Sequence, residues 1–74
     1  MPKYRVFSGK ELMKLFEKHG FDLVRIKGSH LIMQKRLDFG SITVPIPNHK
    51  EIKIGTLTSI IRQSKLPKEL FEND

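Results

Sequence analysis

The chain has no cysteine and no tryptophan among its 74 residues. Without cysteine, disulfide staples and thiolate metal sites are excluded. A chain this short buries only about 60% of its unfolded surface, so it depends on well-packed apolar elements. Long apolar runs are also missing. No segment approaches the roughly 20 apolar residues of a membrane span, and the stretch Met1 to Phe7 lacks the apolar core of a signal peptide. These absences lead us to expect one cytoplasmic domain spanning residues 1–74, with no room for a deep catalytic cleft plus a cofactor.

Negative charge is scarce as well. Eight Asp and Glu stand against 14 Lys and Arg, for a net charge of +6. Residues 1–68 hold all 14 basic residues and only five acidic ones, Glu11, Glu17, Asp22, Asp38 and Glu51. Glu69, Glu72 and Asp74 lie in the acidic end. A basic body attracts polyanions, with an affinity that falls with salt. Charge of this size also serves plain solubility, so it favours nucleic acid only modestly. The acidic residues are scattered singly, whereas a two-metal nuclease needs several carboxylates together. There is no glycine-rich phosphate loop and no nucleophile elbow. Neither a metal nor a cofactor is expected.

What is present is a clear order of elements. Ser8-Gly9-Lys10-Glu11 is a capping box, and Leu12, Leu15, Phe16 and His19 recur at helical spacing, with Met13 flanking them. Gly20 fits the left-handed position that ends a helix, so the first helix is predicted over 9–19. Three strands follow: 21–27, 30–35, and 41 to 45 or 46. Gly28-Ser29 is a two-residue turn, and Asp38-Phe39-Gly40 supplies the second turn. Pro45 and Pro47 cannot donate to a ladder, which predicts a sheet edge for the third strand. A loop over 47–51 leads to a last helix with Ile54, Leu57, Ile60 and Ile61 as its stripe and Thr56 as a start signal. Leu66-Pro67 ends it, and 68–72 forms one more turn with Leu70 and Phe71 folding back.

The fold class is therefore α+β, in the order α-β-β-β-α. Short connections make the sheet an antiparallel three-stranded meander, and both helices cover one of its faces. The other face is left to solvent or a ligand. This is the element order of double-stranded-RNA-binding domains, an analogy that says little about function by itself.

Three histidines remain as chemistry-bearing residues. His19 lies near the C-terminus of the first helix, where packing or the helix dipole explains it. His49 lies in a polar loop. His30 follows Lys27-Gly28-Ser29, a set that suits a phosphodiester: a cation, a close backbone approach and a hydroxyl. Taken alone, a strand histidine is more often structural than catalytic. Lys10, Lys14 and Lys18 form a stripe on the first helix, and Lys50, Lys53 and Arg62 form a second basic region. The stripe serves equally as a solvated face or as a set of phosphate contacts, and the N-terminus of the last helix favours phosphate.

Gly9-Lys10-Glu11-Leu12, Gly20 to Arg25, Lys27-Gly28-Ser29-His30, Thr43-Val44-Pro45, Pro47-Asn48-His49, Lys53 to Leu57 and Ser59 to Gln63 together resemble the HicA family of toxin–antitoxin mRNA interferases. The resemblance covers nearly the whole chain in the right order. Leu31 stands where many relatives carry a second histidine, and Met33 where an aromatic is common. The resemblance implies a fold like that of double-stranded-RNA-binding domains. It implies a ribonuclease acting on translated mRNA, with His30 as its catalytic histidine, and neutralisation by a HicB-type antitoxin. On that basis Lys10, Lys14, Lys18, Lys27, Ser29 and Lys53 are the RNA-binding candidates. The competing readings are a duplex-RNA-binding module without catalysis and a protein-interaction domain.

Overall fold

The computed structural model describes residues 3–73. Met1 and Pro2, and Asp74 of the acidic end, lie outside the described residues. The elements are α1 (Gly9–Lys18), β1 (Asp22–Lys27), β2 (His30–Leu37), β3 (Gly40–Pro47) and α2 (Ile54–Ser64). A short 3-10 helix, Lys68–Phe71, follows. This is the α-β-β-β-α order that the sequence predicts.

The start of α1 follows from its capping box. The Ser8 backbone N–H donates to the Glu11 carboxylate at 2.8 Å, and the Glu11 N–H donates to the Ser8 hydroxyl at 3.1 Å. Two otherwise orphaned donors are satisfied reciprocally. The helix ends one residue earlier than predicted, with His19 as C-cap.

The sheet is antiparallel in the order β1-β2-β3, so β3 is at an edge as its prolines require. β2 and β3 run longer than predicted because the turn between them is only Asp38-Phe39, with Leu37 opposite Gly40. Leu31 and Met33 from β2, and Val44 and Ile46 from β3, share one buried cluster with Leu12 and Phe16 of α1 and Leu57, Ile60 and Ile61 of α2. Both helices therefore cover the same face.

Two features of the last helix differ from expectation. Ile54 is 62% exposed and does not join the buried stripe. Ile52, outside the helix, takes the core position instead, held by its N–H bond to the Phe7 carbonyl at 2.8 Å. Thr56 is not the start signal. The first helical bond runs from the Leu57 N–H to the Lys53 carbonyl at 2.9 Å, which makes Lys53 the N-cap, without a side-chain cap.

The chain ends add to the core. Phe7 and Phe71 meet edge-on at 6.0 Å between ring centroids, and Phe16 lies 6.2 Å from Phe71 and 4.8 Å from Phe21. An isolated bridge between Tyr4 and Glu72 ties the first described residues to the last.

Candidate active site

The site grows out of the β1–β2 hairpin. Gly28 has φ +59°, the conformation the first central residue of a type II′ turn needs. A two-residue turn fixes the register, with Lys27 opposite His30, Ile26 opposite Leu31 and Arg25 opposite Ile32. Successive side chains of a strand point to opposite faces. Leu31 and Met33 enter the core, so His30, Ile32 and Gln34 take the open face. The third strand sets Pro47 opposite His30, Pro45 opposite Ile32 and Thr43 opposite Gln34.

A bulge in β1 completes the arrangement. The register shifts between Leu23 and Arg25, leaving Val24 as the extra residue. In an unbroken strand Leu23 and Arg25 would share a face. With Val24 inserted, Leu23 lies opposite buried Met33 while Arg25 and Lys27 lie with His30 on the open face.

The result is a cleft of about 650 Å³ on the open face. Arg25, Lys27, Ser29 and His30 line it, and Ile32, Pro45 and Thr43 complete its wall. His30 is exposed there, so its imidazole is open to a ligand. The turn is anchored from behind. The Asn48 N–H donates to the Ser29 carbonyl at 2.7 Å, and the Gly9 N–H donates to the His49 carbonyl at 2.9 Å. A Cβ on Gly9 would stand 2.8 Å from the Asn48 Cα, so only glycine lets α1 approach this closely.

The other basic candidates lie elsewhere. Lys10 borders a separate cleft with Ser8, Asn48, His49 and Lys50. Lys14 and Lys18 border another, with Arg5 and Glu11. Glu11 is held below its ordinary pKa of 4.5, first by the Ser8 backbone N–H and then by the Ser8 hydroxyl. Lys53 is exposed at the start of α2 and borders none of these three clefts. The structure thus brings Lys27, Ser29 and His30 together and leaves Lys10, Lys14, Lys18 and Lys53 outside their cleft.

Among the described residues no three His, Asp or Glu side chains gather as metal ligands would. No described helix is long and apolar enough to cross a membrane.

A family model described as the HicA toxin of bacterial toxin–antitoxin matches residues 9–66. The chain belongs to the HicA toxin family. The match runs from the first residue of α1 past the end of α2, so it takes in the whole sheet and the His30 cleft. Membership implies an antitoxin partner. Comparisons with curated proteins and with solved structures gave no match.

For this HicA-family chain, reading from the sequence missed four residues of the cleft: Arg25, Ile32, Thr43 and Pro45. Arg25 and Ile32 follow from counting outward from the Gly28-Ser29 turn. Thr43 and Pro45 follow in the same way from a two-residue Asp38-Phe39 turn, but not from the three-residue turn the composition suggests.

Proposed function

We propose that the chain is the toxin of a type II toxin–antitoxin pair, a metal-independent endoribonuclease that cleaves mRNA in the cytoplasm. We further propose that the 74 residues act as one domain and that a HicB-type antitoxin neutralises it. The observation that carries this reading is the exposed His30 in a cleft with two cations and a hydroxyl.

RNA brings its own nucleophile. The 2′-oxygen attacks phosphorus, the bond to the 5′-oxygen breaks, and a 2′,3′-cyclic phosphate forms. The proton lost from the 2′-hydroxyl is balanced by one gained at the leaving oxygen. His30 is the proton-transfer group, a role that contributes roughly 10²–10⁴-fold. Imidazole suits it, since its unperturbed pKa of about 6.5 lets it give or take a proton near neutrality. Lys27, Arg25 and the Ser29 hydroxyl stabilise charge developing on the phosphate oxygens. Ile32 and Pro45 offer an apolar surface to the flanking sugar or base. Lys10, Lys14, Lys18 and Lys53 hold phosphates away from the cleft and steer RNA towards it.

The test is digestion of RNA by the purified chain in EDTA. Cleavage persists, the products end in a cyclic phosphate, and His30→Ala cuts the rate by about 10²–10⁴ while still binding RNA. Loss of cleavage in EDTA, or full activity in His30→Ala, overturns the reading. Binding without any cleavage by the native chain would support the non-catalytic RNA-binding module.

A further inference from the structure

Among the described residues β1 bonds only to β2, so its outer side presents N–H and C=O groups without a strand partner there. All six of its residues are exposed. Leu23, Val24 and Ile26 are 37%, 49% and 63% exposed, an unusual load of apolar surface for a free edge. Such an edge is a template for another strand. The opposite edge is poorly suited to that role, because Pro45 and Pro47 remove two donors from β3.

We propose that the antitoxin partner docks by adding an extended segment of alternating acidic and apolar residues to β1. The inference rests on the toxin reading above and names the surface through which the toxin is restrained. The alternation follows from β1 itself. Arg25 and Lys27 lie on the open face, while Leu23 and Ile26 lie on the helix side. Neighbours in an added strand match when they are acidic beside the cations and apolar beside the aliphatic pair. Charge selects this occupant over a second copy of the chain. Self-pairing would bring together two bodies of net charge +6, whereas an acidic segment is attracted to this one. Arg25 and Lys27 also line the His30 cleft. Carboxylates of the added strand therefore engage the cations that an RNA phosphate requires, and docking competes with substrate.

The probe is a blocked nine-residue peptide alternating glutamate with valine, added to the full chain. Amide exchange slows within 22–27, and affinity falls at least tenfold when alternate peptide amides are methylated or when lysine replaces glutamate. Ile26→Lys, at an exposed position outside the cleft, weakens the peptide to the same degree and leaves RNA cleavage within twofold. Protection confined to other elements, or an affinity indifferent to Ile26→Lys, overturns the proposal. So does a native dimer that Ile26→Lys converts to monomer, because β1 would then pair with its own copy. Failure of the two readings is distinguishable: a chain that takes the peptide on β1 but cuts no RNA removes the nuclease reading alone.

Discussion

On the face covered by α1 and α2, Leu31, Met33, Val44 and Ile46 are each at most 4% exposed. On the opposite face of the same strands, the neighbouring residues His30, Thr43 and Pro45 are exposed, and Ile32 and Gln34 are half-buried. The open face has its own order: the Gln34 side-chain amide donates to the Ser41 and Thr43 hydroxyls at 3.4 and 3.3 Å. The difference separates two tasks. Removing apolar surface from water is the dominant favourable term in folding, and the covered face does nearly all of it. The open face is thereby free to hold cations and an imidazole that would be costly to bury.

The strongest way to break this division is to attack the covered face. Phe16 is fully buried in the core cluster, beside Phe21 and Phe71. Phe16→Ala should cost about 3–5 kcal/mol. A chain of this length has roughly 4–11 kcal/mol in total, at the usual stability per residue. Urea unfolding should show the midpoint fall sharply, with a large unfolded fraction at physiological temperature. His30→Ala is the matching change on the open face. Its midpoint should stay within about 0.5 kcal/mol of the native chain, while cleavage falls as described above. Equal destabilisation by both would mean that the open face also carries the fold.

A smaller effect comes from the covering layer. Ser8→Ala removes the α1 cap and should cost about 1 kcal/mol. The same motif gives a pH dependence. Glu11 is held below its ordinary pKa of 4.5 in the folded chain, chiefly by the Ser8 backbone N–H. Its contribution to stability is therefore complete above the unfolded value and is lost as pH falls through the depressed folded value. Native thermal unfolding should lose stability in that acidic window, and Glu11→Gln should flatten the loss. An identical acid profile in Glu11→Gln would assign the sensitivity to other carboxylates.

The covered face was more legible than the open one. Helical spacing picked out Leu12, Phe16, Leu57, Ile60 and Ile61, because burial on one side imposes that period. Val44 and Ile46 alternate with Thr43 and Pro45, a strand period that puts them on one face for the same reason. Ile54 was misread because spacing continues past the point where the helix stops touching the core, and Ile52 fills that place from outside the helix. Phe7 lies in a segment too short for a period to form, whereas Phe71 was legible only as a residue folding back from the last turn. On the open face, His30, Lys27 and Ser29 were legible as a local cluster around one turn. Arg25 was missed although counting outward from the Gly28-Ser29 turn puts it on the open face; what no turn residue or repeat marks is the Val24 bulge that sets Leu23 on the helix side. Thr43 and Pro45 reach the cleft only through pairing with β2, which composition does not encode locally.

The smallest change should sharpen the comparison by improving the covering layer without touching the open face. Lys65, just past α2, has φ +60° and is the one non-glycine residue with positive φ among those described. An L-residue in the left-handed region costs about 1–2 kcal/mol. Glycine removes that cost but gives back about 0.5–1 kcal/mol through the greater freedom of the unfolded chain. Lys65→Gly should therefore stabilise the protein by about 0.5 kcal/mol, the difference between those two effects. The cap itself should persist, since the Ser64 hydroxyl donates to the Ile61 carbonyl at 2.7 Å and accepts from the Leu66 N–H at 3.1 Å. Lys65 borders none of the three clefts, so cleavage at moderate salt should be unchanged. A raised unfolding midpoint with native cleavage would confirm that the layer over the sheet can be tuned independently of the site beneath it. A drop in cleavage would instead place a phosphate contact on that layer and end the separation of the two faces.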